Sequence, residues 1–237
     1  MHRAEARRVA EAAIAAAARL QLEPPKKLAS EKTGGPPSYS SRLASAFAFA
    51  AEQHKLQVRK GTTIPYVTHL MGVASLVGEH GGSEDEMIAA LLHDAVEDTG
   101  GAPVAAEIER RFGAHVAQIV AGCTDDDTGA PGGAKQPWLE RKIKYVRRAA
   151  GEPLDTVRVS ASDKLHNLRA ILADFREHGT IVFERFKAGR SGTLWYYRAL
   201  ADVFAAVAAG PDADDGFRRL AAELGRGVAQ LEAETRV

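Results

Sequence analysis

The sequence predicts an all-α fold, a helical bundle built around one buried polar site. Two observations predict the helices. No stretch alternates apolar and polar residues cleanly over the length of a strand. Runs rich in alanine, leucine, glutamate and arginine instead succeed one another, punctuated by glycine and proline. A third observation predicts the site. In Leu91-Leu92-His93-Asp94-Ala95-Val96-Glu97-Asp98-Thr99, titratable groups crowd the end of a strongly apolar helix.

Residues 3–21 are good helix formers, and Pro24 with Pro25 ends that first helix. The proline-, glycine- and lysine-containing stretch 22–39 reads as a linker. Ser40 or Ser41 caps the next helix, which runs through Leu43, Ala46, Phe47 and Ala50 to about His54. A short basic loop leads to Pro65, at a helix start, and Tyr66 to Val77 keeps helical spacing. After Gly81-Gly82, Ser83 and Glu86 form a capping box, and Glu84-Asp85-Glu86 suits the positive end of the helix dipole.

Residues 103–123 read as two short helices broken near Gly113, and 125–137 as an aspartate- and glycine-rich loop. Helices are expected over 138–149, 155–174, near 180–188, over 193–208, and finally from about Gly216 to Glu234. The predicted organisation is an N-terminal helix and linker over 1–39, a main domain over 40–208, and a C-terminal linker and helix over 209–237.

Composition narrows the function. The chain has 237 residues, 45% of them hydrophobic, enough for one sizeable core. Lys plus Arg number 31 and Asp plus Glu 31, so a dedicated nucleic-acid binder, which needs a basic excess, is disfavoured. No stretch reaches the length of a membrane span, and the apolar run 12–20 is too short and too interrupted for a signal peptide. The single cysteine, Cys123, excludes an internal disulfide and fits a cytoplasmic home; its apolar neighbours make it a small buried hydrophobe.

Burying carboxylates and imidazoles is expensive unless they are paired or bound to a metal. His93 and Asp94 are adjacent, and Glu97 lies four and three residues after them, on their face of a helix. A second cluster, Ser160 to Arg169, sets Asp163 and Asn167 four apart, with Leu165, Leu168 and Leu172 as anchors. His69 opens a third helix ahead of Leu70, Met71, Val73 and Leu76. His69, His93, Asp94 and Asp163 together make a mixed nitrogen and oxygen donor set, suited to manganese, iron, zinc or magnesium. Glu97 and Asp98 can orient a water beside such an ion or shuttle its proton. Arg59, Lys60, Lys142, Lys144 and Lys164 are candidates for supplying positive charge to a ligand near such an ion. Tyr66 either lines the pocket or packs.

The stretches His54-Lys55-Leu56-Gln57-Val58-Arg59-Lys60, Pro65-Tyr66-Val67-Thr68-His69, Leu92 to Thr99, Thr124-Asp125-Asp126, Glu140-Arg141-Lys142 and Asp163 to Arg169 make the chain recognisable. It resembles the HD-domain metal-dependent phosphohydrolases, and within them the hydrolase domain of RelA/SpoT-like proteins and the small alarmone hydrolases. The resemblance runs from about Ala46 to Asp174. It implies an HD-domain bundle in which His69, His93, Asp94 and Asp163 hold one manganese ion, with Glu97 and Asp98 as the catalytic acidic pair. It implies that Arg59 and Lys60 approach the nucleotide and that Asn167 contacts its sugar or phosphate end. The family reaction removes pyrophosphate from the 3′ position of guanosine tetra- or pentaphosphate.

The chain departs from this pattern in three places. The loop Gly61-Thr62-Thr63-Ile64 is about one residue longer, Leu70 stands where proline is common, and the tail from Phe183 to Tyr197 differs. These departures keep a second substrate open, another nucleotide or phosphoester. A non-enzymatic module is disfavoured because the ligand set and acidic pair are intact. The partner expected is a small-molecule nucleotide, with no nucleic acid and no membrane. The alanine-rich first and last helices either pack on the body or form a homodimer contact.

Overall fold

Buried apolar residues fall into two groups, and one long helix belongs to both. The computed structural model describes residues 39–124 and 136–236. The helix expected over 3–21, its linker, and most of the loop with Asp125 and Asp126 lie outside the described residues. Nine α-helices are found among those described: α1 (Ser41–Gln53), α2 (Val67–Glu79), α3 (Glu84–Leu92), α4 (Ala102–Phe112), α5 (Ala114–Cys123), α6 (Trp138–Ala149), α7 (Leu154–His178), α8 (Gly189–Ala208) and α9 (Asp215–Glu234). The one β feature among them is an isolated antiparallel bridge, Val58 to Pro65, which closes the basic loop.

Local sequence explains the boundaries. The Ser40 hydroxyl accepts from the Arg42 N–H at the start of α1. At α3 both halves of the capping box form: the Ser83 N–H donates to Glu86 at 2.6 Å, and the Glu86 N–H donates to the Ser83 hydroxyl at 3.3 Å. Two differences from expectation stand out. Helix α7 extends to His178, a full turn beyond the expected end. The expected helix near 180–188 is a 3₁₀ turn over Gly179–Arg185. Gly179, at φ 70°, ends α7 and reverses the chain. The 3₁₀ segment is short, and it drives Val182 and Phe183 into the core.

Helices α1 to α5 enclose the first core, around Phe49, Leu70, Ile88, Leu92, Ile108 and Phe112. The second core lies among α7, α8 and α9, around Leu165, Leu168, Leu200, Phe204, Phe217 and Leu220. Helix α7 sends Val159 into the first core and Val157, Ala161 and Leu165 into the second. The last helix packs along α7 and α8, with Phe217, Leu220, Leu224, Val228 and Leu231 fully buried. The polar site lies where the two cores meet. No helix among the described residues is long and apolar enough to cross a membrane.

Candidate metal centre

Three helices deliver one donor set to the seam between the cores. His69 sits in the first turn of α2, His93 and Asp94 directly succeed α3, and Asp163 lies in α7. One ligand atom from each of His69, His93 and Asp94 fits within a cluster whose members all lie within 4.8 Å of one another. Asp163 closes the group. Its Oδ1 is 3.2 Å from His69 Nε2 and 3.6 Å from His93 Nε2. Asp94 Oδ2 is 2.9 Å from His93 Nε2 and 3.8 Å from His69 Nε2.

The imidazole orientations are set from behind. His93 Nδ1 donates to the Ala90 carbonyl at 2.8 Å, so its Nε2 faces the cluster as an acceptor. His69 Nδ1 lies 2.9 Å from His166 Nδ1, which turns its Nε2 inward in the same way. His166 fits because residue 72 is glycine: a Cβ there would stand 2.2 Å from His166 Nε2.

Both inward nitrogens, His69 Nε2 and His93 Nε2, are buried and have no hydrogen-bond partner among the described residues. Buried polar atoms without partners are rare and expensive. A divalent cation between these nitrogens and the two carboxylates accounts for both orphans, and a set of two imidazoles and carboxylates is chemically suited to one. The residues present therefore fit a metal ion.

The carboxylates are held as carefully. The Tyr66 hydroxyl donates to Asp94 Oδ2 at 2.5 Å. Burial and the Asp94 charge raise the Tyr66 phenol above its ordinary range, so it remains a donor. Asn167 Nδ2 donates to Asp163 Oδ1 at 2.5 Å, and Lys164 Nζ contacts Asp163 Oδ2 at 2.5 Å. Burial, the largest single influence, disfavours ionisation of Asp163, but the Lys164 ammonium and the His69 and His93 imidazoles together outweigh it and hold the carboxyl well below its usual value. Arg59 Nη2 donates to Asn167 Oδ1 at 2.9 Å, which links the basic loop to this chain of contacts.

Glu97 and Asp98 lie on the next turn of the chain. Residues Val96–Gly100 form a π-helical turn, with the Gly101 N–H reaching back to the Val96 carbonyl at 2.9 Å. Asp98 Oδ2 accepts from Gln57 Nε2 at 2.8 Å, and His54 Nδ1 donates to Gln57 Oε1 at 2.6 Å. Desolvation raises the Asp98 carboxyl above its usual range, with the Asp94 charge acting in the same direction against the Gln57 bond.

Two clefts open beside the cluster. The first, of about 400 Å³, collects Lys60, Glu97, Arg141, Lys142, Lys164 and Lys187 under a wall that includes Tyr196. The second, of about 300 Å³, is lined by Arg59, Ile64, Tyr66, Ile171, Asp174 and Arg185, among others. They share Lys60, Asn167, Phe186 and Tyr197.

His69, His93, Asp94 and Asp163 thus form the cluster, and Arg59, Lys60, Tyr66, Glu97, Lys142, Lys164 and Asn167 line its clefts, while Asp98 lines neither cleft and is held by Gln57. Lys144 is exposed on α6 and donates to Gln136. Cys123, expected to be buried, is only half-buried, with burial pushing its thiol up in pKa. Of Trp195, Tyr196 and Tyr197, the tyrosines are buried in the second core and Trp195 stays partly exposed against Trp138. Sequence reasoning gave no role to His54, Gln57, Gly72 or His166. The signal for Gln57 and His166 was their place inside the motifs that carry the resemblance; Gly72 inside a helix of apolar residues asked for a packing reason.

A family model described as HD domain matches residues 46–194. The guanosine-3′,5′-bis(diphosphate) 3′-pyrophosphohydrolase MESH1 of Mus musculus is 40% identical over 137 residues, covering 56% of this chain and 70% of that protein. The protein of the same name from Danio rerio is 41% identical over the same length and coverage. A solved structure of a metazoan ortholog of SpoT that hydrolyzes ppGpp shares the fold. It aligns with a TM-score of 0.62 over 85% of this chain and 99% of that one, at 24% identity. The chain belongs to the HD-domain family and, related within it to the RelA/SpoT-type and small alarmone hydrolases, is a metal-dependent phosphohydrolase.

Proposed function

We propose that this chain removes the 3′-pyrophosphate of guanosine tetra- or pentaphosphate, giving GDP or GTP and pyrophosphate. The observation that carries the reading is the pair of clefts meeting beside the cluster. One is rich in cations, as a polyphosphate needs, and the other mixes apolar and hydrogen-bonding groups, as a base needs. The names of relatives such as mouse MESH1 point the same way.

In this reading His69, His93, Asp94 and Asp163 hold one manganese ion, and Tyr66, His166 and Asn167 orient those ligands. When bound, the ion supplies Lewis-acid polarisation of a phosphoryl oxygen and a lowered pKa for water. Lys164, Lys142 and Lys60 neutralise the polyphosphate, and Arg59 stacks on or pairs with the nucleotide. Water attacks the phosphorus joined to the 3′ oxygen. That oxygen–phosphorus bond breaks, and the 3′ oxygen leaves with a proton.

Glu97 and Asp98 manage the two protons. One carboxylate takes the proton from the attacking water and the other returns one to the leaving oxygen. The raised Asp98 carboxyl suits the donor, and Gln57 keeps it aimed. The direct test incubates the manganese-loaded protein with guanosine tetraphosphate and separates the products by chromatography. GDP with pyrophosphate is expected, and release of single phosphates or no turnover would sink the assignment.

A further inference from the structure

The second cleft contains a pair of charged residues that the proposed reaction does not use. Asp163, Asn167, Ile171 and Asp174 recur along one face of α7, and all but Asp163 line that cleft. Asp163 and Asp174 are separated by three turns, about 16 Å along the axis at 1.5 Å per residue. Asp174 thus marks the end of the cleft away from the metal cluster. Arg185 Nη1 donates to Asp174 Oδ2 at 2.5 Å. Among the described residues the other oxygen, Oδ1, carries no hydrogen bond. Arg185 is itself held: a Cβ at Gly61 would stand 2.9 Å from its Cδ, so the basic loop closes directly over the guanidinium.

With one oxygen held by Arg185, this carboxylate at the end of a base-sized cleft keeps its other oxygen as an open acceptor. Guanine is the purine whose edge offers two adjacent donors, N1–H and the 2-amino group. Hypoxanthine offers N1–H alone, and adenine turns an N1 lone pair toward the same place. We infer that Asp174, braced by Arg185, is the residue that selects guanine in this cleft. The inference rests on the nucleotide reading above and adds to it the group that distinguishes the base. Arg59 and Asn167, at the other end of the cleft, meet any nucleotide alike. Asp174 separates one base from another.

The test is calorimetric binding of GDP, IDP and ADP to the full, manganese-loaded chain and to its Asp174→Asn variant. The substitution keeps size and removes the charge. The wild type is expected to bind GDP roughly tenfold tighter than IDP, since one hydrogen bond to a charged acceptor is lost, and ADP more weakly still. In the variant GDP and IDP should converge to within about twofold. A GDP to IDP ratio unchanged by the substitution overturns the inference, as does ADP binding as well as GDP, or no binding of any of the three. If Asp174 only braced Arg185, the variant would weaken all three alike, which also overturns it. Turnover of guanosine tetraphosphate is measured in parallel. Base ranking without turnover removes the proposed reaction and keeps the role of Asp174; turnover without base ranking does the reverse.

Discussion

Helix α7 carries two buried polar clusters a little more than one turn apart, and they are built on opposite rules. At Arg158 every nitrogen is engaged. Nε donates to Glu86 at 2.7 Å, Nη1 to the His80 carbonyl at 2.7 Å, and Nη2 to Asp214 at 2.5 Å. Glu86 and Asp214 are at the same time the capping groups of α3 and α9. The Arg158 cluster therefore ties three helices together with its hydrogen bonds satisfied. At Asp163 two imidazole nitrogens are left without hydrogen-bond partners, and two carboxylates crowd the same pair of nitrogens. A chain that satisfies one buried cluster so fully and leaves the next incomplete is keeping the second for something it must bind.

The largest effect that can break this comparison comes from Asp94→Ala. Manganese measured by elemental analysis should fall from one ion per chain to none, and hydrolysis should fall to background. A hundredfold excess of metal over its dissociation constant should stabilise the wild type by about 2.7 kcal/mol and leave the variant unmoved. Wild-type melting that ignores a chelator would erase the distinction between the two clusters.

Arg158→Met should show the converse. It leaves Glu86 buried without its cation, at a cost of about 3 kcal/mol. For a body of this size that lowers the melting temperature by roughly 6–12 °C. Metal stoichiometry below the melting range should not change, and a loss of metal would mean that the two clusters act as one.

Tyr66→Phe is smaller. It removes the donor to Asp94 and keeps every ligand, so manganese affinity should fall roughly ten- to a hundredfold by competition titration. An unchanged affinity would reassign Tyr66 to the cleft alone.

The smallest effect sits on the surface. His115 bridges Asp85 at 3.0 Å and Asp155 at 2.8 Å, and these bonds raise its pKa above 6.5. A raised imidazole adds stability that is complete below about 6.5, its unfolded value, and lost as pH rises through the folded one. His115→Ala should therefore narrow the stability difference between pH 6 and pH 8, weakly because the bridge is exposed. A variant with the same pH slope as the wild type would remove the bridge from the account.

Much of the site was legible because its donors fall in short runs. His93 and Asp94 are neighbours at the end of an apolar helix, and Asp163 with Asn167 has helical spacing within one segment. The capping box at Ser83 was legible for the same reason, since both partners lie in one turn. What the sequence hid was long-range. His166 meets His69 across 97 residues, and Arg185 reaches Asp174 only because the chain reverses at Gly179. The 3₁₀ turn over Gly179–Arg185 was hidden by its own composition, which suits a helix; the reversal and the burial of Phe183 decided it. Gln57 carries no charge, so its place inside a motif marked the residue but not its partner, Asp98, which lies 41 residues away.

The π turn at Val96–Gly100 separates two parts of the site that are close in sequence. A π turn is an α turn with one residue inserted, and the insertion lies between the His93-Asp94 pair and the end of the acidic segment. Deleting a single residue there would rotate the downstream residues by about 100° around the axis and leave the upstream ones in place. Glu97 and Asp98 lie inside that turn, so a change of one residue in its length would alter their direction relative to His93 and Asp94.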